Sequence, residues 1–305
     1  MAKLEGEGEI SFKVPGMENS CSTWYKILGN LKSGIVPLVA LHGGPGACHE
    51  YLLPLKDLTD QADICIILYD QIGNGKSTRL RERMGDESFW TEELFRLELE
   101  NLIEYLGLHD RGFDLYGQSW GGMLAAKYAA LRPQGLRKLV LADAPASVEL
   151  LLVGENKLRK GLPEDVQEVL ERCEREGKFE SGEYEQACLV FYKRHLCRLD
   201  PWPKEIEIAL GHLKEDPTVY QTMYGPSELM PTGSLKEWTA IEDIHKIEAS
   251  TLLINGRYDE VQDAAVAPFF EKLNKVKWIT LEKSSHMGHF EERERYMEVL
   301  KDFLK

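Results

Sequence analysis

The sequence predicts an α/β fold in which a mostly parallel, eight-stranded sheet carries helices on both faces. Two patterns support this prediction: most of the apolar runs are continuous, and helical patterns separate them. Continuous apolar strands indicate a sheet that is buried on both faces, which in practice requires parallel strands joined by helices. The length of 305 residues allows one large core, alone or with a smaller subdomain.

Eight short runs account for the strands of this sheet. The first two alternate polar and apolar residues, which predicts an N-terminal hairpin of half-buried strands. The later runs are rich in Val, Ile and Leu, as is typical of strands covered on both faces. The predicted strands are residues 8–14, 23–28, 36–41, 64–69, 113–116, 138–142, 250–254 and 276–281.

Helical patterns lie between these runs. The clearest covers residues 91–106, where Leu94, Leu97, Leu102 and Leu106 recur near the helical period. A second helix is predicted over 123–131, before Pro133, and a last one over about 291–304. This alternation of strands and helices is typical of a doubly wound sheet.

The alternation stops for a long central segment. Residues 145–235 contain charged helical patterns, such as 163–176 and 184–196, and several prolines, but no convincing strand. We therefore expect a core domain built from residues 1–144 and 236–305, interrupted by a helical insertion over 145–235.

Composition excludes some classes of partner. The net charge of −14 and the lack of a basic patch argue against nucleic-acid binding, since phosphate backbones would be repelled. No run of 18 apolar residues predicts a membrane span, and the N-terminal residues lack the pattern of a signal peptide. The six cysteines include no CxxC pair and are expected to be reduced thiols, as in a cytoplasmic protein.

The strongest chemical signal is the segment Gly117-Gln118-Ser119-Trp120-Gly121, between a predicted strand and a helix. Glycines on both sides of a serine allow a strand-to-helix turn so tight that the hydroxyl is exposed above the sheet. The start of the helix also favours negative charge beside that hydroxyl. The alternative is a turn that only connects the two elements. We predict that Ser119 is a catalytic nucleophile.

A nucleophilic serine needs a base and an acid that orients the base, and in this fold both follow the insertion. Asp259 follows a predicted strand at the end where such sheets hold their active sites, with Glu260 and Asp263 as nearby rivals. Among eight histidines, His286 and His289 lie between the last strand and the last helix. We predict Asp259 as the acid and His286 as the base, with His289 in a packing or hydrogen-bonding role.

Metal and nucleotide cofactors are not expected. His286 and His289 could be read as a metal pair, but no further ligands appear at suggestive spacing. The segment His42-Gly43-Gly44-Pro45-Gly46 has neither a dinucleotide-binding pattern nor a P-loop lysine. Its position after a strand instead suits an oxyanion hole, for which we predict Gly43 and Gly44 together with the main-chain N–H of Trp120.

Together these segments resemble the proline iminopeptidase family of α/β-hydrolases, in its branch of broad aminopeptidases and amino-acid amidases. The resemblance runs from about residue 8 to the C-terminus and includes the segments 69–77 and 255–259. It implies an α/β-hydrolase fold, a helical cap formed by the insertion, and a triad of Ser119, Asp259 and His286.

The resemblance also implies acidic residues that hold the free amino group of the substrate. These positions correspond here to Glu228 and Glu260. An ammonium group in a partly closed site needs an opposite charge at hydrogen-bond distance, because its desolvation is otherwise not offset. Cys48 and His49, after the glycine-rich loop, and Gln118 and Trp120, beside the serine, depart from the pattern where relatives vary, so a preference for proline does not follow.

The predicted function is therefore that of a cytoplasmic serine hydrolase without cofactor. It would release N-terminal amino acids, with proline as one candidate, from short peptides, or hydrolyse amino-acid amides through an acyl-enzyme. The alternatives are an esterase or lactonase acting on neutral acyl compounds, and a ligand receptor without catalysis. The sequence indicates neither the oligomeric state nor the natural substrate.

Overall fold

A computed structural model describes residues 6–305, so part of the N-terminal segment considered for a signal peptide lies outside the described residues. Eight strands form one sheet with the order β1-β2-β4-β3-β5-β6-β7-β8. The β1–β2 and β2–β4 pairs are antiparallel and the others are parallel. The strands are β1 (Gly6–Phe12), β2 (Cys21–Leu28), β3 (Leu38–Leu41), β4 (Ile66–Tyr69), β5 (Phe113–Gln118), β6 (Leu136–Ala142), β7 (Ser250–Gly256) and β8 (Val276–Leu281).

Helices cover both faces of this sheet, because alternate strand residues face two different apolar clusters. Val39 and Leu41 belong to one cluster, whereas Leu38 and Ala40 belong to the other. The helices outside the insertion are α1 (Lys56–Ala62), α2 (Glu92–Tyr105), α3 (Leu108–Arg111), α4 (Trp120–Ala130), α10 (Asp263–Lys272), α11 (Gly288–Glu291) and α12 (Arg293–Leu304). The first cluster includes residues of α2, α4 and α10, and the second includes residues of α1 and α12.

Five helices lie between β6 and β7. They are α5 (Val148–Arg159), α6 (Glu164–Glu176), α7 (Gly182–His195), α8 (Lys204–Glu215) and α9 (Thr218–Met223). Part of this segment has an apolar cluster of its own, in which Leu170, Cys173 and Phe191 are fully buried. Another part packs on the sheet domain, since Ile206 of α8 and Val148 of α5 belong to the two main clusters.

The predicted α/β-hydrolase fold with an eight-stranded, mostly parallel sheet is confirmed. One detail of the predicted helix over 91–106 is wrong: Leu97 is exposed, and the buried face of α2 includes Glu98 and Leu99 instead. The buried stripe of α2 repeats at positions 94–95, 98–99 and 102–103, which leaves Leu97 outside it. Glu98 can be buried because it accepts hydrogen bonds from Thr23 and Ile72 inside the protein. Within residues 6–305 no helix is long and apolar enough to cross a membrane.

Candidate active site

Ser119 lies in a tight turn between β5 and α4. Its backbone has φ 57° and ψ −124°, an unfavourable conformation for a residue with a side chain. The flanking glycines make this turn possible, because a Cβ on Gly117 would lie 2.2 Å from the carbonyl oxygen of Gly121. Turn and helix start together direct the serine side chain to the C-terminal edge of the sheet, where Ser119 lines a cavity.

Asp259 and His286 come together beside this cavity from the loops after β7 and β8. His286 Nδ1 lies 2.7 Å from Asp259 Oδ1, and both side chains are buried. The same oxygen accepts a hydrogen bond from the Val261 N–H at 2.9 Å, which fixes the carboxylate. The rival acid Asp263 accepts instead from Asn255 Nδ2 at 3.0 Å. Ser119 and His286 line one cavity of about 620 Å³.

The candidate oxyanion donors differ in whether their main-chain N–H group is free to bind an oxyanion. Gly44 and Trp120 both line a narrow recess beside Ser119, and Trp120 is the first residue of α4, where a main-chain N–H has no partner within the helix. The Gly43 N–H, in contrast, donates to Tyr51 Oη at 2.6 Å. The prediction that Gly43 is a donor is therefore wrong, because its N–H is already bonded.

Glu228 and Glu260 line the same recess as Ser119. Glu228 accepts a hydrogen bond from Tyr220 Oη at 2.6 Å. Glu260 Oε1 lies 3.8 Å from His286 Nε2, and Glu260 Oε2 has no hydrogen-bond partner in the described part of the chain. Burial raises the pKa of both Glu228 and Glu260, and the positive charge of His286 opposes this shift at each carboxyl group.

The rest of this recess is mainly apolar. Its lining includes Met123, Leu151, Leu235 and Val261. Apolar walls with two carboxyl groups at one place are the lining that a small apolar side chain beside an ammonium group requires. The recess therefore brings both kinds of lining together next to Ser119.

His286 carries an unusual charge environment. Burial lowers its pKa, but Asp259, Glu260 and Glu228 together raise the pKa to about 9. The second histidine of the loop differs: burial lowers the pKa of His289 to about 3, and its Nε2 lies 2.9 Å from the Tyr51 carbonyl oxygen. His289 is thus a buried hydrogen-bonding residue, as predicted.

Two groups of side chains in the described residues have the spacing of a metal site. One contains His49, Glu50 and Asp70, where Asp70 Oδ1 accepts from the His49 N–H at 3.0 Å and lies 2.8 Å from His49 Nδ1. The other contains Asp143 with Asp259 and His286. Because these groups hydrogen-bond to one another, internal bonds account for both arrangements.

Two buried acids near the site were missed in the sequence. Asp143 directly follows β6, is 1% exposed and is close enough to Asp259 for a hydrogen bond, which requires one protonated carboxyl. Glu155 on α5 is 1% exposed and neither of its carboxyl oxygens has a partner among the described groups. Asp143 could have been found, because it follows a strand end as Asp259 does; nothing in the pattern of α5 marks Glu155.

Known proteins share both the sequence and the fold of this chain. A family model described as the alpha/beta hydrolase fold matches residues 36–293. The proline iminopeptidase of Saccharolobus solfataricus is 34% identical over 280 residues, which cover 92% of this chain and 87% of that protein. The crystal structure of the Mycobacterium smegmatis proline iminopeptidase is 33% identical, with a TM-score of 0.88 and 97% of each chain covered. The crystal structure of VinJ is 43% identical, with a TM-score of 0.92 and 97% of this chain and 98% of that chain covered.

These similarities extend over nearly the whole chain, including the insertion between β6 and β7. Their identity and coverage confirm the family resemblance that the sequence motifs indicate, and with it an enzyme of the hydrolase class and aminopeptidase type. The chain belongs to the proline iminopeptidase family of α/β-hydrolases.

Proposed function

We propose that the protein is a serine aminopeptidase that releases the N-terminal residue from short peptides or hydrolyses amino-acid amides. The observation that carries this proposal is the recess in which Ser119, Glu228 and Glu260 meet. Carboxylates beside a nucleophile suit a substrate whose ammonium group lies next to the carbonyl that is attacked. An enzyme for neutral acyl groups has no use for buried negative charge at this place.

The proposed reaction is acyl transfer through a covalent intermediate. His286, oriented by Asp259, takes the proton of Ser119 while the serine oxygen attacks the carbonyl carbon, and the Gly44 and Trp120 N–H groups stabilise the oxyanion. The imidazolium then protonates the leaving amine as the C–N bond breaks. His286 then takes a proton from water while the water oxygen attacks the acyl-enzyme ester. The imidazolium returns this proton to the Ser119 oxygen as the ester bond breaks and the amino acid is released.

Residues 145–235 act as a cap over this site in our proposal. The large cavity beside Ser119 is lined by residues of the inserted helices, among them Tyr192, Ile206 and Leu210. This part of the cavity offers apolar space to the leaving group, whereas the end of the cavity at Glu228 and Glu260 accepts the N-terminal residue. The six cysteines are buried as free thiols, which supports the proposed cytoplasmic location.

The test compares aminoacyl arylamides, their N-acetylated forms and simple aryl esters as substrates. We expect the free amine to be required, since acetylation removes the charge that Glu228 and Glu260 bind. The variant Glu228→Gln is expected to lower kcat/KM for the arylamides at least about tenfold, because a buried charged partner is lost.

The variant Ser119→Ala is the control for chemistry. It should fold normally and lose turnover by a factor on the order of 10⁴ to 10⁶, as in other triads. Normal turnover in Ser119→Ala would refute the mechanism. Equal rates on free and acetylated substrates would instead favour an esterase, and no reaction with a covalent serine probe would favour a receptor.

A further inference from the structure

Glu260 faces the nitrogen of His286 that must accept the Ser119 proton. His286 Nδ1 is bonded to Asp259, and the other nitrogen, Nε2, lies 3.8 Å from Glu260 Oε1. The side chains of His286 and Glu260 are each only 4% exposed. A carboxylate at this distance in a buried site strongly stabilises the imidazolium form. The same carboxylate is the proposed partner of the substrate amine.

The surroundings of His286 supply negative charge from several elements. Its titratable neighbours are Asp143, His195, Glu228, Asp259, Glu260 and His289. Burial lowers the pKa of both His195 and His289, so neither adds a positive charge near neutral pH. The ion pair with Glu260 therefore keeps His286 protonated in the free enzyme, and a protonated histidine cannot act as a base.

We propose that Glu260 couples substrate binding to the protonation of His286. In the free enzyme its carboxylate forms an ion pair with the imidazolium on the Nε2 side. When the substrate binds, its ammonium group pairs with Glu260 and Glu228. His286 then loses its partner at Nε2, and its proton passes to solvent water. The neutral imidazole then takes the Ser119 proton.

This coupling rests on the proposed function and deepens it. A substrate amine would contribute twice, first by binding and then by creating the base. A neutral acyl compound that enters the same cavity leaves His286 paired with Glu260 and protonated. Selectivity for free amines then appears in kcat as well as in KM, which simple charge complementarity does not require.

The pH dependence of two matched substrates tests this coupling. One is an aminoacyl aryl ester and the other is its deamino analogue with the same leaving group. The pH profile of kcat/KM reports groups of the free enzyme, and that of kcat reports the complex. For the aminoacyl ester we expect the acidic limb of kcat to lie about one pH unit or more below that of kcat/KM. For the deamino ester both limbs should coincide at the higher pH.

The variant Glu260→Gln should gain activity on the deamino ester, a result that misfolding cannot cause because misfolding lowers activity. Loss of the carboxylate lowers the pKa of His286, so hydrolysis of the deamino ester at neutral pH should rise about three- to tenfold. Hydrolysis of the aminoacyl ester should fall, because an amine partner is lost. The matched control is Glu228→Gln, which also removes an amine partner but does not contact Nε2, and should give the smaller gain on the deamino ester.

The coupling is wrong if the acidic limbs of kcat and kcat/KM coincide for both substrates. It is also wrong if Glu260→Gln shows no gain in hydrolysis of the deamino ester. These results differ from a failure of the proposed function. If the wild type does not prefer the aminoacyl ester, the aminopeptidase proposal itself is wrong. If the preference exists but the limbs do not separate, only the role of Glu260 as a coupling residue is wrong.

Discussion

At the scale of single residues, the pair of Asp143 and Asp259 determines how His286, the proposed catalytic base, is supported. Asp259 uses one oxygen for His286 and for the Val261 N–H, while its second oxygen and Asp143 Oδ2 have no partner among the other described groups. Burial and the negative charge of Asp259 raise the pKa of Asp143 far above its ordinary value. The neutral acid can then donate a hydrogen bond to Asp259.

Substitutions at Asp143 test this arrangement. The backbone φ there is 49°, which Asn and Gly tolerate. Asp143→Asn keeps a neutral donor, so we expect kcat within about threefold of wild type. Asp143→Gly removes the donor without straining the backbone, and kcat should fall about tenfold or more, with KM nearly unchanged. Steady-state kinetics on an arylamide measure both.

The pH profile separates this role from its alternatives. If Asp143 were ionised, Asp143→Asn would remove a negative charge near His286 and move the acidic limb of kcat/KM to lower pH. If Asp143 only filled space, both variants would change thermal stability and leave kcat alone. Either result contradicts a neutral donor.

The sequence predicts those site residues whose position a strand end determines. Ser119, Asp259 and His286 each follow a strand with a recognisable pattern, so local pattern and chain order are sufficient to propose them. Gly43 could not be judged in this way, because its N–H is occupied by the side chain of Tyr51, eight residues away. Glu155 was equally hidden, since its proximity to the site depends on how an inserted helix packs.

At the scale of elements, the start of α4 is held against β3 by close contact of main chains. A Cβ on Gly121 would lie 2.2 Å from the carbonyl oxygen of Leu41, so the helix could not approach the strand with any larger residue. That approach places the Ser119 turn directly beside the glycine-rich loop after β3. Gly211, within α8, is different. Apart from its chain neighbours and the backbone of its own helix, a Cβ there would have no atom within 4 Å.

Alanine at these two helical glycines should have opposite effects. Gly121→Ala is expected to destabilise the protein by about 3 kcal/mol or more and to abolish activity, because neither main chain can yield. Gly211→Ala should stabilise it by about 0.5–1 kcal/mol, the usual gain of a helix interior. Thermal unfolding with an activity assay measures both changes. A soluble, active Gly121→Ala variant would show that the contact is not essential.

The elements also show where sequence patterns were insufficient. Strands were predicted well because their burial on both faces demands continuous apolar runs. The helix α5 is not marked by its sequence, because its buried face includes Gly154 and Glu155 beside Val148 and Leu151. This helix packs on α10, which lies more than 100 residues later in the chain, and no local period encodes such a contact.

At the scale of the whole molecule, the acidic residues behind the net charge of −14 fall into two groups. Many lie on the surface of the inserted helices, where solvent screens them. A smaller group is buried in the protein, and burial raises the pKa of Glu98, Asp143 and Glu155. Buried acids of this kind destabilise the fold when they ionise, so stability should depend on pH well above the ordinary range of carboxyl groups.

Glu98 allows this effect to be measured away from the active site. It joins α2 to β2 and to the loop after β4, and burial raises its pKa to about 8. In the unfolded chain a glutamate has a pKa of about 4.3. Between these two values only the folded state holds the proton, so the free energy of unfolding falls as the pH rises and levels off above about 8.

We expect Glu98→Gln to remove this decline, because the neutral amide can still accept a hydrogen bond from Thr23 or Ile72 and does not titrate. The stability of the variant relative to wild type should rise with pH between about 5 and 8, by at most about 1.4 kcal/mol per pH unit. Urea unfolding at a series of pH values measures this difference. Glu104→Gln, at an exposed position of the same helix, is the control and should leave the pH dependence unchanged. Parallel stability curves for Glu98→Gln and wild type would mean that Glu98 is ionised inside the folded protein, with Thr23 and the Ile72 N–H sufficient to hold its charge.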